Sequence, residues 1–117
     1  MNKKRVHTPE GVRDVYGTEY GQRSKLKAKL NKVFASYGYE GIRTPGFEFF
    51  DVFNSEKGTV SAREMFKFFD REGNTLVLRP DVTPSIARCI AKYFNEENMG
   101  IRLSYAGNVF LNNSSYQ

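Results

Sequence analysis

Met65-Phe66-Lys67-Phe68-Phe69-Asp70-Arg71-Glu72-Gly73-Asn74-Thr75-Leu76-Val77-Leu78-Arg79-Pro80-Asp81-Val82-Thr83-Pro84 decides the fold. Two β-prone runs, 65–69 and 75–79, flank a polar five-residue turn containing glycine, which is the pattern of a hairpin. The second run ends in Arg-Pro-Asp. Thr83 then stands where a helix cap belongs, and Pro84 at the first helical position, where its missing N–H costs nothing. The junction places charged and hydroxyl groups at a sheet mouth beside a helix N-terminus, whose unpaired N–H groups and partial positive charge favour polar ligands. Two readings of it stay open. In one, Arg79 and Asp81 pair for structure and Thr83 caps the helix; in the other, the same side chains face a ligand. Local chemistry by itself favours the structural reading.

Downstream, Ile86, Ile90 and Phe94, with Ala87 and Ala91 beside them, form one apolar helix face, and Asn95-Glu96-Glu97-Asn98 ends that helix. Ile101–Tyr105 alternates with period two, and Ala106–Phe110 is read as its continuation. The 111–117 stretch is polar. A chain stopping soon after strand-like aromatics reads as a truncated product or a designed fragment, with the final strand at an unprotected edge.

Upstream, Asn54–Glu64 is a polar loop, read as mobile. Phe47–Phe53 is aromatic and extended in character, and Tyr39–Arg43 is a short strand leading to Thr44-Pro45-Gly46. Leu26, Leu30, Val33, Phe34 and Tyr37 lie on one face of a helix that Thr18 caps and Gly38 ends, with Gly21 weakening its first turn. Pro9–Gly17 is a turn-rich loop anchored by Val12, Val15 and Tyr16, and residues 1–8 form a flexible arm. The order of helix, strands, hairpin, helix and strand predicts an α+β fold, an antiparallel sheet flanked by helices, in a single domain spanning 1–117.

Composition narrows the chemistry. The single Cys89 cannot close an internal disulfide and reads as a small core residue, which fits a reducing cytoplasm. The one histidine, His7, lies in the charged tail. One Cys and one His exclude a Cys/His metal site, and a nucleophilic role for Cys89 is not expected with the one histidine in the tail. No apolar run approaches the roughly 20 residues of a membrane span. The net charge of +5 is uneven: residues 1–43 hold 10 of 18 basic and 4 of 13 acidic residues, or +6, leaving −1 for the rest. A basic first helix suits either a solvated face or a nucleic-acid contact. The near-neutral remainder, with no base-stacking motif, speaks against a nucleic-acid-binding module.

The motifs in series resemble a known family. Pro9-Glu10-Gly11-Val12-Arg13-Asp14, Tyr37-Gly38-Tyr39, Ile42-Arg43-Thr44-Pro45-Gly46-Phe47-Glu48, the 65–70 run, Leu78-Arg79-Pro80-Asp81-Val82-Thr83 and Arg102–Phe110 look like the start of a histidyl-tRNA synthetase-type class II core, in that order. The resemblance implies that Ile42–Glu48 is a dimerisation element, and that Asp81 accepts hydrogen bonds from the ammonium group of a bound histidine. Thr83 would add a hydroxyl contact, and Tyr105 would lie beneath the same mouth. Arg79 would pair with acidic groups near the strand end, and Arg13 and Asp14 would fix their loop. Two relatives share this core: the synthetase, and a non-catalytic paralogue that regulates ATP phosphoribosyltransferase in the first step of histidine biosynthesis. Where the synthetase pattern has Arg-Pro-Glu-Gly-Thr, this chain has Arg79-Pro80-Asp81-Val82-Thr83. Leu111 stands where the synthetase puts an arginine on the ATP α-phosphate, and leucine cannot clamp a phosphate. The departures favour the paralogue, which implies no catalytic residues, no cofactor and a catalytic phosphoribosyltransferase subunit as partner. A fragment of the synthetase itself is the enzyme alternative. The rest of motif 2, motif 3 and the histidine-specificity segments lie outside this sequence.

Overall fold

The computed structural model describes residues 6–54, 60–94 and 100–112. Expectations for the start of the arm, the middle of the 54–64 loop, Asn95–Asn98 and the last residues fall outside these. Helix α1 spans Gly17–Ser36. Strand β1 is Glu40–Gly41 and β2 is Phe47–Phe49. Short 3-10 turns follow at Phe50–Val52 and Ala62–Glu64. Strands β3 (Lys67–Phe69) and β4 (Thr75–Leu78) precede helix α2 (Thr83–Tyr93) and β5 (Leu103–Ser104).

The hairpin forms as expected. Antiparallel β3 and β4 pair Lys67 with Val77, Phe68 with Leu76 and Phe69 with Thr75. One carboxylate oxygen of Asp70 accepts the backbone N–H groups of Glu72 and Asn74, both at 2.9 Å, and the other accepts the Asn74 side-chain amide at 2.9 Å. These bonds favour the ionised carboxyl, and Asn74 leads in holding it below its usual range. Gly73 takes φ +83°, a conformation costly for any residue with a Cβ. Gly73→Ala is therefore expected to destabilise the chain by about 1–2 kcal/mol in chemical denaturation.

Strand β2 adds to the other side of β4, giving the order β2-β4-β3, all antiparallel. The core is small. Phe53, Met65 and Val77 are buried together, with Phe50, Val52 and Val60 packed against them. The extended reading of 47–53 holds only to Phe49; beyond it the 3-10 turn brings Phe50 and Val52 back over Val77. Helix α2 buries Ile86 and half-buries Ile90 and Phe94, while Ala87 and Ala91 stay exposed. Cys89 is half-buried.

A second sheet was not foreseen. Strands β1 and β5 pair in parallel, Glu40 with Leu103 and Gly41 with Ser104. The strand expected over 39–43 contracts to two residues, and the one over 101–110 ends at Ser104, because Ala106–Asn112 turns away to bond β4 and Glu64 instead: Phe110 N–H donates to Arg79 O at 2.9 Å and Asn112 N–H to Glu64 O at 2.7 Å.

Helix α1 also departs from expectation. Its cap position is Tyr16, whose side chain makes no cap bond, and Thr18 lies inside the first turn. Of the expected loop anchors, Val12 and Tyr16 are exposed and Val15 half-buried. Polar contacts fix this loop: Arg13 grips Glu19 with two bonds of 2.6 and 2.9 Å, and the Thr8 hydroxyl donates to Val12 O at 2.8 Å. Arg13 thereby holds the Glu19 carboxyl well below its ordinary range, at about 2.

The C-terminus of α1 is as expected. Gly38, at φ +83°, donates to Ala35 O and Tyr39 N–H to Phe34 O, both at 3.0 Å, and the rings of Phe34 and Tyr39 meet edge-on at 5.5 Å. This is a Schellman cap with its accompanying hydrophobic contact. Helix α1 lines a groove with Lys27, Asn31 and Ala35 beside the β1–β5 pair. The Leu26, Leu30, Val33, Phe34 and Tyr37 stripe, expected as a buried face, is exposed in this chain.

Candidate functional site

Two residues between the end of β4 and the first turn of α2, Asp81 and Thr83, converge with Tyr105 from just beyond β5. The backbone leaves β4 at Leu78 and passes Arg79 and buried Pro80 to reach Asp81. Half-buried Asp81 accepts the Thr83 backbone N–H through one carboxylate oxygen at 3.2 Å. Asp81 is therefore the residue that satisfies the helix start; the cap position is Val82, and Thr83 is not the cap. This frees the Thr83 hydroxyl, which lies 3.3 Å from the Tyr105 phenol oxygen. Thr83 and Tyr105 are both exposed. The second carboxylate oxygen of Asp81 has no partner among the described residues. A carboxylate with a spare oxygen beside two hydroxyls can receive a protonated amine through charge-assisted bonds. It supplies no nucleophile activated by a base. Among the described residues, no three His, Cys, Asp or Glu side chains are grouped to hold a metal ion, and no helix is long and apolar enough to cross a membrane.

Tyr105 also lines the groove between α1 and the β1–β5 pair, a cavity of about 360 Å³ shared with Tyr39, Ile42 and Arg43. The site therefore opens sideways along the edge of β5.

Among the described residues, Arg79 pairs with no acid. Its Nε donates to Asn108 O at 2.5 Å, and one terminal nitrogen donates to Thr44 O at 3.1 Å and Pro45 O at 3.5 Å. The residues 44–46 and 108–110 are irregular segments with carbonyls to offer, and no carboxylate of the described residues pairs with Arg79.

The sequence reading missed the ion pair beneath the site. Glu48 is buried and meets Arg88 of α2 at 2.9 and 3.1 Å through its two carboxylate oxygens. It pins α2, and with it Thr83, to the edge strand β2. Gly107 was missed too: a Cβ there would sit 2.6 Å from a terminal nitrogen of Arg79. A glycine inside a strand-like run, as a mark of close backbone approach, was the available signal.

The family model for histidyl-tRNA synthetase matches residues 11–116. The chain belongs to the histidyl-tRNA synthetase family. Its motif 1 and hairpin segments therefore sit in a class II synthetase-like core. The ATP phosphoribosyltransferase regulatory subunits of Acetivibrio thermocellus and Ruminiclostridium cellulolyticum are each 42% identical to it over 110 residues, covering 94% of this chain and 26% of theirs. A solved ATP phosphoribosyltransferase regulatory subunit/histidyl-tRNA synthetase from Bacillus halodurans superposes with a TM-score of 0.79 at 31% identity, over 90% of this chain and 27% of that one. The histidyl-tRNA synthetase of S. aureus gives 0.75 at 30% identity, over 89% and 29%. The chain thus spans about a quarter of the length of the curated relatives it matches.

Proposed function

We propose that this chain is part of a regulatory subunit of ATP phosphoribosyltransferase, which has no catalysis of its own and serves the first step of histidine biosynthesis in the cytoplasm. It associates with a catalytic subunit, activates it and contributes to histidine feedback. The observation that carries this reading is the pairing of a complete amine-receiving turn, Asp81 with Thr83 and Tyr105, with Leu111 at the position that follows Phe110. Such a site holds an amino acid without activating it, because Leu111 brings no charge to a phosphoryl centre. The names of its 42%-identical relatives support the same assignment.

Asp81 receives the histidine ammonium on its spare oxygen, and Thr83 and Tyr105 offer hydroxyls to the same ligand. Ile42–Glu48 contributes to self-association. Feedback then requires only that histidine bind one state of the assembly better than another. Adding the intact protein to its catalytic subunit is expected to raise the phosphoribosyltransferase rate and to make that rate histidine-sensitive. An unchanged rate overturns the assignment. Asp81→Asn is expected to weaken histidine binding about 10-fold or more in isothermal titration, since bonds to a charged acceptor are the strong ones. Unaltered affinity would remove Asp81 from the site.

One observation favours a second reading: the S. aureus synthetase shares this fold at a TM-score of 0.75. ATP–pyrophosphate exchange in the presence of histidine would decide for a synthetase, and Leu111 argues that none occurs.

A further inference from the structure

Arg79 is half-buried, and all its side-chain partners are backbone carbonyls: Asn108 on one side, Thr44 and Pro45 on the other. Its own backbone repeats the arrangement. The Arg79 N–H donates to Gly46 O and its carbonyl accepts the Phe110 N–H, both at 2.9 Å. A single residue therefore bonds twice over to each of two segments, 44–46 and 108–110, that have no regular pairing with each other. Among the described residues its side-chain partners are neutral carbonyls, so the arrangement does not serve as an ion pair. A guanidinium presents several N–H donors in one rigid plane, and that geometry sets the spacing between the groups it joins.

That spacing governs the site. Tyr105 is held from one side by β5, where Ser104 pairs with Gly41. On the other side the chain runs directly into Gly107 and Asn108, against the Arg79 side chain. We infer that Arg79 is a positioning residue for the ligand turn: its guanidinium fixes where the 105–110 segment lies relative to 44–46, and thereby places the Tyr105 phenol at the Thr83 hydroxyl. The role of Arg79 in histidine binding rests on the function proposed above; its role in placing the segment does not.

Gly107 offers a way to displace the guanidinium without altering Arg79. Its φ is not positive, so alanine is tolerated by the backbone, and the obstruction to a Cβ is the Arg79 guanidinium, with its nearest nitrogen at 2.6 Å and Cζ at 3.1 Å. The test is a double-mutant cycle in the intact protein, comparing Gly107→Ala, Arg79→Met and the pair, with Arg79→Lys as the charge-conserving control. The readouts are histidine affinity by isothermal titration, amide hydrogen exchange at Phe110, and overall stability in urea. Arg79→Lys and Gly107→Ala are each expected to weaken histidine binding about tenfold and to speed Phe110 exchange beyond what any change in global stability accounts for. In the Arg79→Met background, Gly107→Ala is expected to change neither readout by more than about twofold, because the methyl then meets no guanidinium.

Equal effects of Gly107→Ala in both backgrounds would overturn the inference. So would Arg79→Lys with wild-type affinity and wild-type Phe110 exchange. Loss of urea stability with unchanged histidine affinity would show a merely structural role and likewise overturn it. If the wild-type protein takes up no histidine, the proposed function fails, and the Phe110 exchange cycle still decides the positioning of the segment on its own.

Discussion

Phe53→Ala is expected to lower the stability of this chain by about 3–5 kcal/mol, the range for truncating a buried aromatic. Phe53 is 4% exposed and packs with Met65 and fully buried Val77 in one buried apolar cluster. A buried cluster this small has few neighbours able to relax into the space left by a phenyl ring, so the cavity persists. Such a loss is comparable to the entire stability of many small domains. Urea unfolding followed by far-ultraviolet circular dichroism measures it, since the chain has no tryptophan to report. A loss under about 1 kcal/mol would show that the cluster is not the core. Leu26→Ala offers the contrast: Leu26 is exposed, and its truncation is expected to fall within about 0.5 kcal/mol of wild type.

Arg88→Met is expected to cost about 3 kcal/mol. Glu48 is buried, its side chain 7% exposed, and Arg88 is its ion-pair partner. Removing the cation leaves an uncompensated carboxylate between β2 and α2, and breaking a buried pair from one side is far more damaging than replacing both partners. Arg88 is itself about a third exposed, with a side-chain accessibility of 32%, which keeps the cost at the lower end of the range for such pairs. The double variant Glu48→Gln/Arg88→Met should recover more than half of the loss. No recovery in the double variant would mean that the arginine acts through its stem and not its charge. Because α2 carries Thr83, the single variant should also weaken histidine binding, whereas Phe53→Ala should act mainly on stability.

The hairpin, the helix after it and the glycine end of α1 were legible because each rests on a local rule. Asp70 and Gly73 close a turn whatever surrounds them, Pro84 belongs at a first helical turn, and Gly38 supplies the left-handed residue a Schellman cap needs. Which face each element buries was less legible. Residue type alone would put the phenylalanines of Phe47-Glu48-Phe49 inward and the glutamate outward. The fold has the reverse: Glu48 is buried and the two phenylalanines are about half exposed, because α2 brings Arg88 to that side of the sheet. The residue forty positions away that makes the inward carboxylate tolerable carries no signal in the local pattern. Helix α1 likewise leaves its apolar stripe exposed in this chain, which its 3.6-residue pattern did not indicate.

Within the site, the residue types were legible and their division of labour was not. Thr83 and Asp81 both suit a helix start. Only the geometry tells that Asp81 takes that task with one oxygen and leaves the Thr83 hydroxyl to Tyr105. Arg79 was expected to seek carboxylates, the commonest partners of arginine, yet the turn from Thr44 to Gly46 offers carbonyls at the right distance.

The parallel pairing of Glu40 with Leu103 has a kinetic consequence. The hairpin closes a loop of a few residues and can form within microseconds of its synthesis. The β1–β5 pairing must close a loop that encloses most of the chain, at a higher entropic cost and correspondingly late in folding. Tyr105 reaches Thr83 only through that last closure. On the ribosome, the turn from Asp81 to Thr83 would thus emerge and fold while still lacking the Tyr105 phenol, which arrives only after β5 has left the exit tunnel.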